Sequence, residues 1–184
     1  MMEDRAPEDF MEIFLQPGEC FFADADTRLR TLLGSCVAIT MWHPKRKLGG
    51  MCHYLLPTRM DGHEPALEGR YGDEALFLLL RQARQAGCRP KDFHFKIFGG
   101  ADMFTKLNGS RSRPARRGND AAIGRRNIEL AHALLEDLGV KPQSEDVGGM
   151  CARAIMLDNW SGDVWVRSTY DTSLVANRDL LLTA

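Results

Sequence analysis

The sequence has no long apolar run, no paired-cysteine spacing and almost no net charge, and each absence removes a class of function. Its longest apolar stretch, Ala75 to Leu80, is far too short to cross a bilayer. Met1 to Asp9 carries Glu3, Asp4, Glu8 and Asp9 and has neither the apolar core of a secretory signal nor the arginines of a transit peptide. The expectation is a soluble, cytoplasmic protein with no membrane insertion. Lys and Arg number 24 against 25 Asp and Glu, a net charge of −1, so no global field draws the chain to nucleic acid or an anionic surface. The cysteines, Cys20, Cys36, Cys52, Cys88 and Cys151, are odd in number and none forms a CxxC pair. That argues against a disulfide framework or a zinc ribbon and leaves most of them as small buried hydrophobes. Gly99-Gly100-Ala101-Asp102 lacks both GxGxxG and a GK[ST] ending, so no nucleotide loop is expected.

What is present is a series of short strand patterns and two helices. Phe10 to Leu15 and Glu19 to Asp24 read as strands around the turn signal Pro17-Gly18. Leu29 to Trp42 is a longer run broken at Gly34, and Leu48 to Leu56 follows after His43-Pro44-Lys45-Arg46-Lys47, which reads as a hairpin turn. Asp73 offers a helix N-cap, with Ala75, Leu76, Leu79, Leu80 and Ala83 at helical spacing and Gly87 at the end. Phe93, Phe95 and Ile97 alternate with polar residues as in a strand. A second helix is expected from about 122 to 138, and a final hairpin joins Ala152 to Asp158 with Asp163 to Arg167. The fold class is α/β (α+β): a layered sandwich of mixed, largely antiparallel sheet covered by two main helices. The organisation expected is a flexible N-terminus at 1–9, one domain at 10–167 and a tail at 168–184.

One juxtaposition carries chemistry. With a two-residue turn at Pro44-Lys45, outward counting sets Cys36 opposite His53, and opposed side chains share a face. An imidazole beside a thiol can take its proton, giving a thiolate–imidazolium pair and a strong nucleophile. Thr31 could hydrogen-bond the second ring nitrogen, and Gly34 with Ser35 would let backbone N–H groups approach a developing oxyanion. Residue types and spacing alone favour the plainer alternative, a core cysteine and a satisfied histidine on adjacent strands. A metal site built from Cys36, His43, Cys52 and His53 is disfavoured, because adjacent residues on a strand point to opposite faces.

The motifs go further. Thr31-Leu-Leu-Gly-Ser-Cys36-Val-Ala and Gly49-Gly-Met-Cys-His53-Tyr-Leu-Leu-Pro57 are followed by Arg70-Tyr71-Gly72-Asp73, Lys96-Ile-Phe-Gly-Gly-Ala-Asp-Met-Phe104, Ile123-Gly-Arg-Arg-Asn127 and Glu145-Asp146-Val-Gly-Gly149. In this order, over roughly residues 10 to 167, they resemble the chemoreceptor glutamine deamidases, the CheD family. The resemblance implies a protein-glutamine glutaminase, a hydrolase of chemotaxis signal transduction, with Cys36 as nucleophile, His53 as base and Thr31 assisting. It implies a three-layer α/β sandwich, methyl-accepting chemotaxis receptors as substrates and, in some members, a CheC-type phosphatase as partner. No cofactor and no metal are expected. Arg70, Tyr71, Gly99 and Gly100 are candidate rim residues, and Phe104 could line the same groove. Two departures stand out: Cys52, where the family often has Asn or a small residue, and a longer, more basic stretch holding Arg111, Arg113, Arg116 and Arg117. The competing class is a non-catalytic docking partner of a phosphatase or receptor.

Overall fold

The computed structural model describes residues 6–59, 66–102 and 119–169. In order they form Met11–Phe14 (β1), Cys20–Ala23 (β2), Thr27–Leu33 (β3), Val37–His43 (β4), Leu48–Tyr54 (β5), Gly72–Gln85 (α1), His94–Gly99 (β6), Asn119–Asp137 (α2), Pro142–Val147 (β7), Ala152–Asp158 (β8) and Val164–Thr169 (β9). Phe104, the arginine stretch Arg111 to Arg117 and the residues after Thr169 lie outside the described residues. The last strand runs two residues past Arg167.

The strands make two sheets, one ordered β1-β3-β8-β9 and the other β2-β5-β4-β6-β7. Only β1 with β3 and β6 with β7 run parallel, so the sandwich is mixed and largely antiparallel, as expected. Both helices cover the five-stranded sheet: α1 packs on β2 and β5, and α2 on β4, β6 and β7. Three layers result, with the five-stranded sheet in the middle. Its central strand β4 is therefore buried on both faces, whereas β3 alternates buried Thr27, Leu29, Thr31 and Leu33 with half-buried Arg28, Arg30 and Leu32. The first apolar cluster lies under the helices, around Tyr54, Leu79 and Phe95. The second lies between the sheets, around Leu29, Ala38, Met51 and Ile155. Among the described residues no helix is long and apolar enough to cross a membrane.

Three details differ from the sequence expectation. The run from Leu29 to Trp42 is two strands in two sheets, and the chain crosses between them at Gly34 to Cys36. The turn after β4 takes four residues, with His43 paired to Leu48. Lys47 adopts a φ of 54° there and its N–H returns to the His43 carbonyl at 2.8 Å, while His43 Nδ1 accepts the N–H groups of Lys45 and Arg46. Those bonds stabilise the longer turn. Asp73 is not the cap of α1. Tyr71 holds that position without a side-chain bond, and the first amide, that of Gly72, is satisfied by the carbonyls of Leu56 and Pro57. Gly87 does close α1 in the left-handed conformation, at φ 74°.

Candidate active site

The four-residue turn moves the register by two: Ala38, not Cys36, stands opposite His53. A shift of two preserves the face, because side chains alternate with period two. Ala38 and Cys36 accordingly belong to the same cluster between the sheets. Cys36 lies in the bend just before β4, half-buried, while His53 is 1% exposed in the middle of β5. Cys52 points the other way, into the cluster under the helices, with Sγ on the Ile39 carbonyl at 3.7 Å. Cys52 and His53 thus diverge. Among the described residues no three His, Cys, Asp or Glu side chains gather where a metal ion could sit.

Thr31, like Thr27, is a polar member of the otherwise apolar inward face of β3. Its Oγ1 donates to the Leu15 carbonyl at 2.8 Å and lies 2.7 Å from His53 Nδ1. A hydroxyl has one proton. With that proton directed at Leu15, the oxygen can only accept from the ring, so Nδ1 carries the hydrogen and Nε2 keeps its lone pair. Nε2 is buried and has no partner among the described residues. The tautomer is the one a general base needs. Burial pushes the imidazole pKa down to about 4, opposed weakly by a backbone hydrogen bond with Leu15. Burial also pushes the Cys36 thiol up, partly offset by its own backbone N–H. Both shifts favour a neutral thiol and a neutral imidazole in the substrate-free protein, in place of a resting ion pair.

The bend carrying Cys36 is held by its carbonyls. The Gly34 oxygen accepts from the Ala101 N–H at 2.8 Å, the Cys36 oxygen from the Gly100 N–H at 2.8 Å, and the Ser35 oxygen from Asn127 Nδ2 at 3.1 Å. Gly99 and Gly100 have positive φ, 104° and 69°, and a side chain on Gly99 would run into the Cys36 carbonyl. Their place is thus against the back of the Cys36 bend. Gly148 and Gly149 continue this support, bonded to Gly99 and Asp102, and Arg153 holds their loop through Asp146 and the carbonyls of Gly148 and Cys151. Beyond Gly100 lies an open groove of about 490 Å³ lined by Asp102, Arg125, Ile128 and Gly149. Arg70 and Tyr71 sit at the exit of β5: the Arg70 carbonyl accepts the N–H groups of Leu55 and Leu56, and its guanidinium lies 5.7 Å from the Tyr71 ring. No residue pattern points to the Leu15 carbonyl, because a backbone acceptor has no residue signature. Asn127 was visible only as the end of a motif.

The family model described as CheD chemotactic sensory transduction matches residues 55–168. Similar proteins include the "Probable chemoreceptor glutamine deamidase CheD" of Pseudomonas fluorescens, 47% identical over 163 residues, covering 89% of this chain and 88% of that protein. "Probable chemoreceptor glutamine deamidase CheD 1" of Chromobacterium violaceum is 44% identical, covering 88% of this chain and 80% of its own length. The Maridesulfovibrio salexigens protein of the former name is 39% identical, covering 86% and 92%. The family model begins after His53. The relatives reach further, because an alignment covering 89% of 184 residues cannot omit residues 31–53.

Proposed function

The chain belongs to the CheD family, and from that premise we propose that it deamidates glutamine side chains of chemotaxis receptors through a cysteine thioester. The observation that carries the assignment of roles is the Leu15–Thr31–His53 relay, which leaves an unpartnered Nε2 lone pair on the face shared with Cys36. In this reading the Cys36 thiol attacks the glutamine amide carbon while His53 Nε2 takes its proton. Proton transfer accompanies attack, because burial opposes separate charges beforehand. The S–C bond forms, and the carbonyl oxygen becomes an oxyanion facing the backbone N–H of Cys36, with Gly34 and Ser35 shaping the bend. The imidazolium, held through Nδ1 by Thr31, protonates the leaving nitrogen, and ammonia departs as the C–N bond breaks. Water then gives a proton to Nε2 and adds to the thioester. The C–S bond breaks, Cys36 recovers its proton, and glutamate remains. The scheme draws on no metal or organic cofactor.

Each turnover adds one negative charge to the receptor. Arg70 and Tyr71 form the proposed rim on which the receptor segment rests, while Gly99 and Gly100, expected there from the sequence, brace the Cys36 bend from behind. The same reading sets the reaction in the cytoplasm and makes a CheC-type phosphatase a partner to test by co-elution with the chain. The deciding experiment is intact-mass analysis of a purified receptor fragment incubated with wild type and with Cys36→Ala. A gain of about 1 Da per site, the change from amide to acid, is expected with wild type alone. Equal gains with both proteins would remove Cys36 from the chemistry. No gain with either would favour a non-catalytic docking role.

A further inference from the structure

Asn127 is wholly buried inside α2, where asparagine is a poor helix former. Its Nδ2 donates twice, to the Ser35 carbonyl at 3.1 Å and to the Leu55 carbonyl at 2.9 Å. Ser35 immediately precedes Cys36, and Leu55 follows His53 by two residues. One amide group therefore ties the bend of the nucleophile to the strand of the base. Asn127 is itself fixed, since its main-chain oxygen accepts the Tyr54 hydroxyl at 2.6 Å.

The consequence lies in the peptide plane. No cis peptide bond occurs among the described residues, and in a trans peptide the carbonyl of one residue and the N–H of the next point in opposite directions. Turning the Ser35 carbonyl towards α2 must turn the Cys36 N–H away from it, and that N–H acts on the Cys36 sulfur. We propose that Asn127 is a positioning residue that aims the Cys36 amide at the oxyanion, through its grip on the Ser35 carbonyl. The inference rests on the deamidase reading above.

The test separates oxyanion placement from nucleophile activation. In Asn127→Leu, kcat for receptor deamidation should fall about 100-fold with KM little changed, the loss seen when one oxyanion donor is misplaced. Alkylation of Cys36 by iodoacetamide, which develops no oxyanion, should slow far less than turnover, only as far as loss of the N–H from the sulfur raises the thiol pKa. In Asn127→Asp, a buried carboxylic acid can donate only while protonated, so turnover relative to wild type should recover as pH falls. An unchanged kcat in Asn127→Leu, or turnover and alkylation falling together, would overturn the proposal. A measurement on the wild-type protein covers the case in which neither variant folds. A glutamine-aldehyde peptide adds the Cys36 thiol to its carbonyl, and the Cys36 amide proton should then move downfield. An unmoved resonance in that adduct counts against the proposal. Failure of the deamidase reading itself would be distinguishable, because wild type would then leave the receptor mass unchanged.

Discussion

At the residue scale the site depends on where two protons sit. With the Thr31 hydroxyl proton on the Leu15 carbonyl, its oxygen is left to accept the Nδ1 hydrogen of His53, and the proposed reaction draws on the Nε2 lone pair that remains. Thr31→Val keeps the shape and removes both bonds. The ring is then free to adopt the other tautomer, and kcat for ammonia release should fall on the order of 100-fold, the low end for general-base catalysis. Two polar groups lose their partner, so denaturant unfolding should also show a loss of about 1–3 kcal/mol. Thr31→Ser retains the oxygen and should keep most activity; equal activity in Thr31→Val and wild type would sink the relay. The pH profile belongs to the same residues. His53, lowered to about 4 by burial, keeps its ring unprotonated well below the usual histidine range. The acid limb of kcat/KM should therefore lie near pH 4, with little change between pH 7 and 5. Cys36, raised by burial, should alkylate faster as pH climbs, with no plateau near neutrality.

At the element scale the end of β6 acts as a backstop for the Cys36 bend. Gly99 pairs with Val37 on one side and Val147 on the other, and its α-carbon faces the Cys36 carbonyl. Gly99→Ala combines a left-handed φ of 104° with a collision against that oxygen. A cost of roughly 1–3 kcal/mol is expected from the backbone alone. Because the Gly100 N–H that holds Cys36 must move as well, activity should drop further than the stability change explains. Denaturant titration alongside the mass assay checks both, and a stable, fully active variant would show that β6 does not brace the bend. This element also marks what the sequence could reveal. Phe93, Phe95 and Ile97 alternate with polar His94 and Lys96, so that stretch reads as a strand. Pro142 to Val147 did not, since Pro-Gln-Ser-Glu-Asp-Val is polar and forms a sheet edge, held by its parallel pairing with β6. The β4–β5 hairpin was legible, but its turn length was not. That length depends on Lys47 accepting a left-handed φ and on His43 Nδ1 satisfying two amides, neither of which composition reveals. The shared face of Cys36 and His53 survived the error only because the shift was even. Thr31 was legible as a hydroxyl within reach of the second ring nitrogen, whereas its bond to the Leu15 carbonyl, and Asn127's grip on Ser35, exist only once two sheets and a helix meet.

At the scale of the whole molecule, the layers determine the acid stability. His53 lies between the two sheets, where protonation would place an unpaired cation in an apolar cluster. Its pKa is about 4 folded, against the ordinary 6.5. Between those values the unfolded chain binds the proton and the folded one does not, so stability falls as pH drops from about 6.5 towards 4. The whole interval amounts to about 3 kcal/mol. Carboxylates whose pKa is lowered by an arginine partner, Glu74 beside Arg59 and Asp92 beside Arg89, act in the same direction. Their contribution is lost only once the unfolded carboxylates begin to protonate, nearer pH 4.5 and below. The window from pH 6.5 to 5 therefore isolates histidine. Wild type should lose denaturant stability across it, and His53→Gln, which cannot titrate, should lose about 2 kcal/mol less over the same window. Parallel declines would mean that the imidazole is solvated and protonated within the folded protein. That result would also move the acid limb of catalysis up towards pH 6.5, so one pair of titrations tests both the burial of the base and the chemistry assigned to it.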